Sequence, residues 1–264
     1  MEQDLIKVTR EGPIAFVTID RAERRNALTA DMLAALEAAS RAFAGDEATR
    51  AVIFRGAGAD FSVGADLKQD RFQGASEASL LMRRRALTQG AALMRAIQEI
   101  DQPTICAIQG VATGGGACIA SACDFRIGAG DARIGYGEVR IGINLMWHAA
   151  PLCVRLVGAA RAKQMIMSGK LYDAATLERW GFLDEIAPVG DLDARTRAWA
   201  EEYAALPPIA VQMIKRSINA FAGALDGAVM HMDADQWLLA STSEDFREAV
   251  SAFFEKRAPK FSGD

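Results

Sequence analysis

Residues 109–124 read QGVATGGGACIASACD, with three consecutive glycines at the mouth of a small-residue apolar run. Glycine in or beside a helix costs about 1 kcal/mol relative to alanine, so Gly114, Gly115 and Gly116 need a reason. Two phosphate-binding patterns fail on the residues themselves. Gly110 and Gly115 have P-loop spacing, but Gly116 and Ala117 stand where Lys and Ser or Thr are required. No G-x-G-x-x-G can be laid over Gly114 and Gly116 either. The remaining pattern is a buried strand, TICAIQG, feeding a helix N-terminus whose first amides lack an intrahelical acceptor. Glycine there lets a ligand approach the backbone, and the helix dipole favours negative charge. An uncharged substrate that becomes an oxyanion during reaction would use the same donors. Tight packing of helix on sheet is the competing use of Gly115 and Gly116.

About fifty residues earlier, FSVGADL (61–67) places another glycine at the bend of a second junction. An oxyanion site needs two convergent N–H donors, and two such junctions on adjacent parallel strands can supply them.

Around these segments the chain alternates strand and helix patterns. LIKVTR and IAFVTID flank Glu11-Gly12-Pro13, a hairpin signature. Thr29 is a candidate N-cap for a helix whose Met32, Leu33, Leu36, Ala39 and Phe43 recur at helical spacing, with Gly45 closing it. RAVIFRG and DFRIGAG read as further strands, and residues 76–100 as one long helix ending before Pro103. From His148 onward the pattern is mostly helical. An α/β fold with a largely parallel sheet follows, with residues 1–195 as the core carrying the site and 196–264 as a helical appendage.

Composition narrows the function. The 264 residues are 51% hydrophobic and 24% charged, with a formal charge of -4, which argues against nucleic acid as a partner. No run of about 18 apolar residues is present, so no membrane partner is expected. The opening MEQDLIKVTREG carries acids where a secretory leader has a basic start. Cys106, Cys118, Cys123 and Cys153 form no CxxC pair and lie among apolar residues, as buried thiols of a cytoplasmic protein would. The two histidines, His148 and His231, lie far apart without flanking carboxylates at ligand spacing, so no metal is expected.

FSVGADL, GVATGGGACIASACD and ARIGYGEVRIGI, with the early ERRNALT, GFLDEIAP and the late FREAVSAFFEKRAPKF, resemble the enoyl-CoA hydratase/isomerase (crotonase) superfamily over almost the whole chain. The resemblance implies a crotonase-like spiral of ββα units with a C-terminal helical trimerisation region, trimers often paired into hexamers, and acyl-CoA substrates. It implies no cofactor beyond the coenzyme A of the substrate. Carried over by position, the two amides that polarise the thioester carbonyl belong to Ala65 and Gly115, with Gly114 beside them. The coenzyme A moiety would lie near Arg24, Arg25, Ala27, Ala65, Asp66, Leu67 and Lys68. Trp237 and Lys256 from the helical tail would complete the pocket, Lys256 with a solvated surface role as the alternative.

The resemblance also marks departures. Family hydratases use two glutamates. The later falls on Glu138, the earlier on Cys118, where this chain has no carboxylate. One carboxylate can still remove a proton from an enolisable thioester and return it two carbons away, shifting a double bond. Family members with only the later glutamate include enoyl-CoA isomerases and a hydroxycinnamoyl-CoA hydratase-lyase, so double-bond isomerisation, hydration and hydratase-lyase chemistry on an aryl or branched acyl group all stay open. A non-catalytic acyl-CoA binder is the further alternative. Beyond the glutamate, GINLMWHAAP brings Trp147 and His148 where many relatives have a glycine-rich turn. Trp147 would re-line the acyl pocket. His148 is a candidate second acid/base, with helix-start packing as its other role. Tyr136 and Asp70 are candidates for pocket polarity.

Overall fold

IKVTRE and IAFVTI pair antiparallel as β1 (Ile6–Glu11) and β2 (Ile14–Ile19) in the computed structural model, which describes residues 5–67 and 78–264. Gly12 turns the hairpin at φ +58°, a conformation that glycine adopts without a steric cost. From β2 the sheet runs parallel through β3 (Ala51–Gly56), β4 (Thr104–Ile108) and β6 (Phe125–Ala129) to β9 (Glu185–Ala187). A smaller sheet holds β5 (Val111–Thr113), β7 (Arg133–Gly135) and β8 (Tyr172–Asp173).

The central strands β2, β3, β4 and β6 read as apolar runs because both faces of the sheet are covered there. Val17, Val52, Phe54, Cys106 and Ile108 face the helices on one side. Ile14, Phe16, Ile53, Ile105 and Ile127 face α7 (Leu192–Ala204) on the other, through Leu192, Trp199 and Ala200. The expected boundary at residue 195 therefore falls inside a helix that packs on the sheet. The four cysteines are all buried and free.

On the first side lie α1 (Ala30–Ala42), α3 (Gln89–Gln98) and α4 (Gly115–Ala122), while α2 (Leu80–Ala86), just ahead of α3, buries no residue. The Thr29 hydroxyl caps α1 by accepting from the Met32 amide. Residues 80–98 form two helices instead of the expected one. At the break, the Thr88 amide and hydroxyl both donate to Arg85 O, an i→i−3 pattern that tightens the last turn of α2. Past the second sheet, α5 (Ala149–Ser168) is kinked at Gly158, where φ is +77°, and α6 (Ala174–Trp180) is capped by Asp173. The C-terminal layer is α8 (Pro208–Ala222), α9 (Asp226–Met230), α10 (Asp233–Ala240) and α11 (Glu244–Glu255). Among the described residues no helix is long and apolar enough to cross a membrane.

Candidate active site

The first junction is fixed by two small polar side chains. Asn26 is fully buried, and its amide nitrogen donates to Ala57 O, Asp60 O and Phe61 O while its oxygen accepts from Arg21 N. Ser62 Oγ donates to Asn26 O and accepts from the Gly64 amide. Following the main chain, the Phe61, Ser62, Val63 and Asp66 amides donate to Gln109, Val111, Arg25 and Leu28 carbonyls. Among the described residues the Ala65 amide is passed over. An unpaired backbone donor inside a structured segment is uncommon, so its destination matters.

The second junction lies alongside the first. Ser62 pairs in parallel with Ala112, which brings the turn at Gly64 beside Gly114 and Gly115. Gly64, at φ +85°, runs so close to this turn that a β-carbon on it would lie 2.7 Å from Thr113 O and 3.1 Å from Gly115 N. Gly114, at φ +54°, caps α4, and its amide donates to Gly135 O. Gly115 begins the helix, and among the described residues its amide has no acceptor. Gly116 serves the packing role: a β-carbon there would lie 2.4 Å from Ser62 O.

Glu138 begins a short 3-10 turn after β7, across from this corner. Its Oε1 lies 3.4 Å from the point a β-carbon on Gly114 would occupy. Its Oε2 is buried without a hydrogen-bond partner among the described residues. Burial pushes the carboxyl up to about 7. The Cys118 thiol is 1% exposed and held well above its ordinary value, first by burial and then by the Glu138 charge, so it is no nucleophile at neutral pH.

Ala65, Gly114, Gly115 and Glu138 line one cleft of about 1010 Å³, and Cys118 is not in its lining. A family model described as "Enoyl-CoA hydratase/isomerase" matches residues 9–264. The chain belongs to the enoyl-CoA hydratase/isomerase family. It is 30% identical over 258 residues to a short-chain-enoyl-CoA hydratase of Clostridium acetobutylicum, covering 97% of each chain. It is 28% identical over 256 residues to a 1,2-epoxyphenylacetyl-CoA isomerase of Escherichia coli, covering 96% of each. An enoyl-CoA hydratase structure from Mycobacterium avium subsp. paratuberculosis aligns with a TM-score of 0.87 at 26% identity, over 97% of this chain and 98% of that one. The fold is therefore the crotonase fold, and the protein is an acyl-CoA enzyme of this family.

Most residues that the resemblance selected in this enoyl-CoA hydratase/isomerase family member line the cleft. Arg24, Arg25, Ala27, Ala65, Asp66 and Leu67 form one side. Gly114, Gly115, Glu138, Trp147 and Trp237 form the other walls. Two of the charged groups are already paired: Arg25 with Asp60 at 2.7 Å, and Asp66 with Arg21 at 2.8 Å. Lys68 and Asp70 lie outside the described residues. Tyr136 is fully buried, its hydroxyl 2.6 Å from Ser121 Oγ, and is not part of the lining.

Two selected residues stand elsewhere. Lys256 is exposed at the C-cap of α11, with φ +55°, and the cleft is lined by Arg257 instead. His148 is not in the lining either. Its amide donates to Asp233 Oδ2, and burial followed by the Arg95 charge lowers its imidazole below the ordinary value. Segment 140–147 supplies walls through Ile141, Ile143 and Met146, as expected of the stretch 140–150, and the C-terminal end adds Phe253 and Phe261, which pattern reading missed. Their apolar run after GYGE and the aromatic spacing of FFEKRAPKF were the available signals.

Proposed function

We propose that this enzyme isomerises the double bond of an unsaturated acyl-CoA, with Glu138 as its single acid/base and the Ala65 and Gly115 amides as donors to the thioester oxygen. Ionised Glu138 takes a proton from the carbon next to the thioester of a 3-enoyl ester. The electron pair moves onto the carbonyl oxygen as an enolate, where two fixed amides are worth far more than water because they need no reorganisation. The same carboxyl then returns the proton two carbons further on. The double bond moves by one position, and no water, electron or metal enters the balance.

The observation that carries this reading is the meeting of two unengaged amides and one partnerless buried carboxyl oxygen in a single cleft. Cys118 favours isomerisation over hydration, because a buried neutral thiol cannot help a glutamate to polarise water. The exposed rim, with Arg24 and Arg25, would take the phosphates of coenzyme A. The same reading takes the protein to be cytoplasmic and a homotrimer or homohexamer, with Lys256 reaching the nucleotide of a neighbouring subunit.

The test supplies the purified enzyme with a 2-enoyl-CoA and, separately, a 3-enoyl-CoA, following thioester absorbance and solvent oxygen incorporation. Conversion of the 3-enoyl ester to its conjugated isomer without oxygen uptake is expected. Hydration of the 2-enoyl ester at ordinary enzyme rates would overturn the isomerase reading.

A further inference from the structure

Trp147 packs between α3 and α4 at two positions that carry no side chain, Gly90 and Gly115. A β-carbon on Gly90 would lie 2.0 Å from Trp147 Nε1 and 2.1 Å from Cε2. A β-carbon on Gly115 would lie 2.5 Å from Cζ3 and 2.6 Å from Cη2. The indole is thus clamped with its pyrrole edge on one glycine and its benzo edge on the other. Gly115 is the same residue whose amide lacks an acceptor, and both it and Trp147 line the cleft.

The backbone that delivers the ring is unusual. Trp147 and His148 have φ +64° and +58°, two consecutive non-glycine residues in the left-handed region. Such conformations persist where the surroundings over-determine them, and here Asp233 holds the His148 amide at 2.9 Å. Packing alone could fill a gap between two helices with an ordinary residue from either helix. This chain instead keeps both helical positions as glycine and inserts a large ring from a strained loop.

We propose that Trp147 sets the acyl-group specificity of the site, plugging a slot that would otherwise lengthen the acyl arm and so restricting the enzyme to short or compact acyl groups. This rests on the acyl-CoA reading above. An ester whose oxygen meets Ala65 and Gly115 must run one arm toward the arginine rim and the other away from it. The walls available to the second arm are apolar: Leu87, Ile141, Ile143, Met146, Trp147 and Trp237. Trp147 closes that arm beside the reacting carbons. Removing the indole joins the glycine-walled slot to the arm, and each further methylene buried there adds binding.

The experiment uses saturated esters, which cannot react, so it is independent of which reaction Glu138 performs. Free coenzyme A, butyryl-CoA, octanoyl-CoA and dodecanoyl-CoA are titrated calorimetrically against the wild-type chain, Trp147→Gly and Trp147→Phe. Glycine suits the left-handed backbone, and Phe keeps part of the ring should the glycine variant fail to fold. The wild type is expected to prefer butyryl-CoA. Trp147→Gly should shift the dodecanoyl-to-butyryl affinity ratio by at least about 10-fold, with Trp147→Phe between and free coenzyme A unchanged. Unchanged length preference in both variants overturns this proposal alone. Failure of the wild type to bind any of the esters overturns the acyl-CoA reading and this proposal together.

Discussion

Glu138 Oε1 and the Cα of Gly64 approach the same point, lying 3.4 Å and 3.8 Å from where a β-carbon on Gly114 would sit. The carboxyl that is to carry a proton and the turn beside the amides therefore meet at Gly114, whose φ of +54° is one that glycine adopts without a steric cost. This joins two distant parts of the sequence, FSVGADL and GYGEVRIG, through a residue that has no side chain. It also explains why the carboxyl is desolvated: the space around it is bounded by backbone and apolar walls.

That desolvation makes Glu138 costly to the fold. Its carboxyl is raised from an ordinary 4.5 to about 7, so the native state binds the proton more tightly than the unfolded chain does. Native stability contributed by this group is complete below about 4.5 and is lost as pH rises toward about 7. Glu138→Gln removes the ionisation, and should stabilise the protein by up to about 3 kcal/mol at pH 8 while changing little at pH 4.5. The same variant should lose at least about 100-fold in kcat. In the wild type, kcat/KM should rise with pH and level off above about 7, because the base must be ionised. Denaturant melts at both pH values, alongside the rate profile, check this. An active or unstabilised Gln variant would remove Glu138 from the role.

Gly64 offers a separate handle on the amide pair. With φ at +85° and Thr113 O only 2.7 Å from its missing β-carbon, alanine cannot enter without moving the turn. Strain of this kind costs about 1–3 kcal/mol, and misplacing one oxyanion donor costs roughly 100- to 1000-fold in rate. Gly64→Ala should therefore lower kcat far more than it raises the Kd for a saturated acyl-CoA, provided the variant still melts cooperatively. Equal losses in binding and turnover would indicate that the turn serves packing and not the reacting oxygen.

Much of this was legible in the sequence because the deciding features are local. The hairpin around Gly12, the Thr29 cap and the glycine-bent junctions depend on backbone chemistry within a few residues, and all three stand where the patterns put them. The cleft walls were harder. Phe261 reaches the cleft where the tail folds back on α11, with Asp245 accepting from the Ser262 and Gly263 amides. His148 was drawn toward the site by its neighbour Trp147. Consecutive left-handed residues send the two side chains different ways, the indole into the cleft and the imidazole toward Arg95 and Asp226. No periodicity in the sequence encodes that turn.

The helix α8 bears on the proposed oligomer. It is tied to the core by polar contacts: Lys215 to Asp124 at 2.5 Å, Arg216 to Asp101, and Asn219 to Gln98 O. None of its residues is buried, and Ile209, Met213, Ile214, Ile218 and Phe221 are between 59% and 89% exposed. Leu225 and Val229 extend the strip onto α9. A helix that turns polar groups inward and a row of large apolar side chains outward needs another surface, since a monomer seldom exposes so continuous a patch. Burying each of these side chains would contribute about 1.5–3 kcal/mol, enough for a few to hold subunits together. Light scattering on the wild type should give three or six times the chain mass of 28.3 kDa. Ile214→Glu combined with Phe221→Glu should bring it down to one chain while the far-ultraviolet circular dichroism holds. A wild-type protein that runs as a single chain would show that this face meets no second copy, and the expected trimer would then have to be given up.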